Sequence, residues 1–355
     1  VISHGSSRSD QPLLQALSLT LAAFRPETKD LLRRQGLLMP TLQMLLRASL
    51  ETVTRRDDYL TRKAHPVVFN GQNLDLTRMV TMAQEMRTNA LPPLAMMRVT
   101  EEDPARAGID YCDVAASEGL FDSPAAIARV IRGMSYRRQI TIDAKASRDP
   151  AGKPLTFHWF VLQGEPEKIN ITPLRPDRSL VRIEVAYHGG SFPAPPPEDM
   201  RSSRVEIALC VDNGQYYSPP AFVTFYYLNN EVRTYAPDER ILSVDYAAAA
   251  DRYVDPKLSL PRRWRDLFLY DRQNRLTGWT RMQGNRIESF TADGARVLTR
   301  DAHNRPLTAR VVRYVPRESD DQTLPEAVAV DDLLVRTYAY DSDEDMIGRV
   351  VSEKP

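Results

Sequence analysis

The chain of 355 residues is long enough for two or three domains, and 42% hydrophobic and 26% charged residues are proportions of a folded globular protein. Its 47 basic and 47 acidic side chains cancel, so no overall field draws it to nucleic acid or to an anionic membrane. No apolar run approaches the ~18–20 residues that cross a bilayer, and no transmembrane segment is predicted.

The first residues, "VISHGSS", carry no Met and no basic stretch leading into an apolar run. They read as the end of a strand entering a loop, and the chain as the continuation of an upstream domain. His4 and Ser6 in that loop are candidate catalytic groups, without the Gly-x-Ser-x-Gly elbow of a hydrolase nucleophile. Residues 1–135 read as a mainly helical region. Leu13, Leu14, Leu17, Leu21 and Phe24 recur at helical spacing until Pro26. "PTLQMLLRASLETV" opens on Pro40 and sets Leu42, Leu45, Leu46 and Leu50 on one face. "NLDLTRMVTMAQEMR" does the same with Leu76, Met79, Val80 and Ala83. In "FDSPAAIARVIRG", Asp122 or Ser123 can cap, Pro124 opens, Ile127, Val130 and Ile131 form a stripe, and Gly133 closes a further helix. His65, ahead of Pro66 and downstream of Asp57 and Asp58, is a third catalytic candidate, as a base or a substrate contact.

Near residue 137 the hydrophobic period changes from helical to alternating. "RRQITIDAKAS", "LTFHWFVL", "SLVRIEVAYH", "RVEIALCVDNG" and "AFVTFYYL" are short strands separated by turn residues. Asp149-Pro150-Ala151-Gly152 makes a tight turn. Leu155, Phe157 and Trp159 then point to one side of a strand, with Thr156 and His158 on the other. The stretch "AKASRDPAGKPLTFHW", Ala144 to Trp159, resembles the first half of a PKD or cadherin-like immunoglobulin-type β-sandwich. The resemblance covers about 138–228, within a predicted domain 136–232, and implies a secreted or periplasmic module that spaces, packs or binds.

Residues 233–355 form a third region. Of Arg240, Arg275, Arg286, Arg296 and Arg305, four follow an Asn or Gly turn within two positions and open alternating segments, the pattern of successive β-hairpins. With Tyr270-Asp271 and Tyr340-Asp341, this region resembles a degenerate series of the YD repeats of bacterial surface proteins. The predicted fold is thus α+β and multidomain: a helical N-terminal region, a central immunoglobulin-like sandwich and a C-terminal antiparallel meander.

Asp149, Asp212 and Asn213 lie at turns of the predicted sandwich and offer the oxygen ligands that a structural Ca2+ needs. Trp264 and Trp279, among many aromatics, are candidate stacking platforms for a glycan, and Arg275 and Arg286 candidate contacts to an anionic one. Cys112 and Cys210 could form one bridge or none. These features favour a non-catalytic extracytoplasmic interaction or scaffold subunit with a protein partner or upstream polypeptide, and carbohydrate binding as one possibility. The alternative is the C-terminal part of a secreted hydrolase whose main catalytic residues lie upstream of Val1.

Overall fold

The structure is a computed structural model that describes residues 10–67, 69–103, 117–189, 192–193, 201–246, 258–317 and 326–355. Four α-helices come first: α1 (Gln11–Ala23), α2 (Pro26–Arg34), α3 (Leu38–Ala48) and α4 (Leu76–Glu85). Their leucine and methionine stripes form one core, in which Leu32, Leu42, Leu45 and Met79 are completely or almost completely buried. Pro40 sits in the first turn of α3, where its missing N–H would have had no intrahelical partner.

The strands that follow build two sheets facing one another. They are β1 (Arg98–Glu102), β2 (Gly119–Ser123), β3 (Ala126–Ile131), β4 (Arg137–Asp143), β5 (Thr156–Gln163), β6 (Ile169–Pro173) and β7 (Leu180–Ala186). After the two-residue strands β8 (Phe192–Pro193) and β9 (Arg201–Ser202) come β10 (Arg204–Asp212) and β11 (Ala221–Tyr227). One sheet runs β1-β4-β7-β6, the other β2-β3-β11-β10-β5, with β3 parallel to β11 and the other neighbours antiparallel. Between them lies a second core. Ile140, Ile142, Val181, Ile183 and Val185 come from the first sheet, and Trp159, Ile207, Leu209, Val223 and Phe225 from the second. Arg129 closes an edge by pairing with Glu102 of one sheet and Asp122 of the other.

The remaining strands are β12 (Val232–Tyr235), β13 (Ile241–Asp245), β14 (Arg265–Tyr270), β15 (Leu276–Gln283), β16 (Arg286–Thr291), β17 (Arg296–Arg300), β18 (Pro306–Arg317), β19 (Glu326–Ala339) and β20 (Arg349–Lys354). They form one nine-stranded sheet in which every strand pairs with its neighbours in sequence. The alternating segments after residue 265 therefore run as an antiparallel meander. Gly278 shows how tightly β15 and β16 approach: its φ is +148°, and a Cβ there would lie 2.0 Å from the Phe290 carbonyl oxygen.

This architecture corrects the predicted fold class. The described residues are mostly β, 44% strand against 18% helix. A helical N-terminal region beside a separate immunoglobulin-like domain does not describe them. The helices instead form a layer on the outer face of the five-stranded sheet: Cys210, Phe160 and Tyr217 of the sandwich belong to the helical core. Residues 98–131 supply strands to both sheets. The clearest misreading is 121–133, a hairpin with Pro124 and Ala125 in its turn. Ile127, Val130 and Ile131 satisfy helical spacing, but they suit a strand equally well, and pairing on both sides of β3 decides the outcome. Gly133, expected to close a helix, donates its N–H to buried Glu118 at 2.6 Å.

Candidate functional site

Each strand of the five-stranded sheet sends alternate side chains to the inter-sheet core and to the outer face. Along β11, Val223 and Phe225 point inward, while Phe222, Thr224 and Tyr226 are half-buried outside. Register sets them beside side chains of the neighbouring strands: Phe222 beside Ala208 and Ala126, Thr224 beside Glu206 and Ala128, Tyr226 beside Arg204. Among the described residues the core of the helical layer meets this face at the Phe160 and Cys210 end. Above the rest lies a cleft of about 1070 Å³. That volume falls at the upper end of what small-molecule sites offer.

The walls come from two other places. One is the segment after α3. Asp58 organises its start by accepting from the Thr54 and Arg55 N–H groups and from the Lys63 ammonium. That segment carries Arg62, His65, Pro66, Val67 and Phe69 to the cleft. The other wall is the edge hairpin, where Leu120 and Phe121 stay 46% and 56% exposed at a β-bulge. With Val67, 49% exposed, they leave three large apolar side chains in water around the cleft.

Arg47, in the last turn of α3, reaches between two aromatic rings, 5.0 Å from the Phe69 centroid and 5.7 Å from that of Phe222. Its Nη1 donates to the Ala64 carbonyl at 3.3 Å and lies 3.1 Å from His65 Nδ1. Since a guanidinium can only donate, His65 Nδ1 must accept, and the ring proton sits on Nε2, which donates to the Tyr59 carbonyl at 2.6 Å. Burial, followed by the neighbouring Arg47 charge, pushes the His65 pKa down to about 3. Desolvation likewise lowers the pKa of Arg47. His65 is therefore a neutral spacer with both nitrogens committed, which corrects its reading as a base. Arg62 donates through Nε to the Leu162 carbonyl, and Arg204 lies 3.3 Å from Glu206.

The other predicted site residues sit elsewhere. Asp149 and Asn213 do meet: the Asn213 amide donates to Asp149 Oδ2 at 2.6 Å and to the Leu91 carbonyl at 2.9 Å. Asp149 Oδ1 already accepts the Ala151 and Lys153 N–H groups, and Asn213 Oδ1 those of Gln215 and Tyr216. Asp212 turns away to Arg56 at 2.7 Å. Among the described residues no group of three or more His, Cys, Asp or Glu could hold a metal ion.

Trp264 and Trp279 are not platforms. They are 3% and 1% exposed and pack inside the meander core, Trp279 stacked on Phe290 and Trp264 beside the Arg281 guanidinium. Arg275 and Arg286 are not free either, since they pair with Asp271 and Glu288 at 2.7 and 2.8 Å. His4, Ser6 and Cys112 lie outside the described residues, and Cys210 is a buried free thiol. Sequence reasoning missed Arg47, Arg62 and Arg204, and had Phe222 only as one of many aromatics. One signal was available: "AFVTFYY" is apolar at almost every position, as expected when both faces of a strand are covered.

No known family profile matches the sequence, and no curated protein matches it. Among solved structures, the chain is similar to a nucleoside hydrolase-related hypothetical protein from Saccharophagus degradans associated with carbohydrate metabolism. The identity is 14% and the TM-score 0.25, over 43% of this chain and 30% of that one. A likeness of this size carries no argument about fold or activity. No helix among the described residues is long and apolar enough to cross a membrane.

Proposed function

We propose that the protein is a binding module that takes up a small, largely apolar organic molecule in the cleft between the helical layer and the five-stranded sheet. The cleft itself carries this reading: its volume, its aromatic floor and the apolar side chains left exposed around it. Binding is favoured over catalysis because His65, the one imidazole among the described residues of the lining, spends both nitrogens on holding Arg47 and the Tyr59 carbonyl. A location outside the cytoplasm and a protein partner belong to the same proposal, supported by the PKD-like stretch 144–159.

The reading is tested with N-phenyl-1-naphthylamine, a neutral dye that brightens in apolar sites. Saturable binding is expected, and Ala128→Trp, which fills the floor of the cleft, should abolish it. Equal binding by the filled variant and the original protein would refute the cleft as the site.

A further inference from the structure

We propose that the ligand of this cleft is an amphipathic organic anion, an apolar body bearing one carboxylate, sulfonate or phosphate group, and that Arg47 receives that group. The inference rests on the cleft reading above and adds the ligand's charge.

Among the described residues three guanidinium groups line the cleft, from Arg47, Arg62 and Arg204, against one carboxylate, that of Glu206. Glu206 lies against Arg204. Among the described residues neither Arg47 nor Arg62 has a carboxylate within ion-pair distance, so the described lining carries three positive charges against one negative. Removing a cation from water without a counter-ion is costly, and an arriving anion offsets that cost in a site that water screens poorly.

The geometry of Arg47 narrows this further. Both of its described hydrogen bonds use Nη1. Nε and Nη2, the side-by-side pair that binds a carboxylate or phosphate through two parallel hydrogen bonds, have no partner among the described residues. The Phe69 and Phe222 rings flank the guanidinium, so an anion there would bring its apolar body against aromatic surface. His65 sharpens the arrangement by accepting from Nη1 as a neutral ring, which orients the guanidinium without adding charge. A neutral glycan would leave Arg47 without a counter-charge and would meet apolar walls with its hydroxyl groups.

Two dyes with the same ring system separate charge from apolar fit: 1-anilinonaphthalene-8-sulfonate and N-phenyl-1-naphthylamine. Arg47→Met should weaken the sulfonate dye by about 10- to 100-fold, the range of a charge-assisted hydrogen-bonded pair, and by about tenfold or more beyond any loss of the neutral dye. Ala128→Trp should abolish both. An unchanged sulfonate affinity in Arg47→Met, with the neutral dye still bound, would overturn the anion inference and leave the cleft reading standing. Failure of the neutral dye to bind the original protein would overturn both.

A second measurement needs no variant. 2-Naphthoate should displace the neutral dye from the original protein at about tenfold lower concentration than 2-naphthol does. Equal or stronger displacement by 2-naphthol would overturn the inference.

Discussion

In the nine-stranded sheet, the arginines that stand out in the sequence each face a carboxylate. Arg275 pairs with Asp271 and Arg305 with Asp301, four residues earlier, and Arg296 spans to Glu288 and Asp331. In the cleft over the five-stranded sheet, Arg47 and Arg62 form an ion pair with none among the described residues. The two turns Asp271–Arg275 and Asp301–Arg305 are built alike. In both, the Asp side chain accepts two backbone N–H groups and the Arg Nε, and an Asn at φ +62° precedes the Arg. An arginine whose partner is encoded four positions away is part of a turn. An arginine whose spatial neighbours come from distant segments, with no carboxylate at ion-pair distance among the described residues, is available to something that arrives from outside.

The comparison can be broken at the level of stability first. Trp159, 7% exposed between the two sheets, should cost about 3–5 kcal/mol when replaced by Ala, read by chemical denaturation. A loss well below 1 kcal/mol would mean that the inter-sheet core is not packed as described. In the meander the corresponding anchor is ionic. Arg281 and Asp266, each 1% exposed, pair at 2.8 Å, so Asp266→Asn, which takes the carboxylate from a buried guanidinium, should cost about 3 kcal/mol.

The next effect is smaller and depends on pH. The folded chain holds His65 neutral down to about pH 3, while the unfolded chain protonates it near 6.5. Between those values the unfolded state binds one proton more, so this contribution to stability is complete above pH 6.5 and is lost as the pH falls. His65→Gln should flatten the slope of stability against pH by about 1.4 kcal/mol per unit between pH 5.5 and 4.5. An unchanged slope would show that His65 is protonated in the fold.

The smallest effect is expected where the sequence pattern is most visible. Arg275→Gln and Arg286→Gln remove half-exposed to exposed ion pairs, and together should cost about 1 kcal/mol or less. Dye binding in the cleft should not change. If the double variant alters the affinity for the sulfonate dye, the contrast between turn arginines and cleft arginines is wrong.

Helices α1, α3 and α4 were legible because their leucine and methionine stripes have only one regular solution. The meander was legible because its turns carry local signals. Residues 121–133 were not, since a short run of β-branched residues fits both periods and the neighbours that decide it are nearly a hundred residues away. Trp264 and Trp279 were misjudged because alternation tells which residues share a face, not which face is buried. The cleft was the least legible part. Arg47, His65 and Phe222 meet only through the placement of the helical layer on the sheet, and nothing in their local sequence records that meeting.

Arg233, buried on β12, donates to Glu231 on its own side and to the carbonyls of Ile131 and Gly133, where β3 ends. β3 is also the strand whose Ala126 and Ala128 lie under the cleft. The consequence is mechanical. Besides the backbone that leads from β11 into β12, the Arg233 guanidinium ties the nine-stranded sheet to the end of the strand beneath the cleft, so a load on that sheet reaches β3 as well as β11.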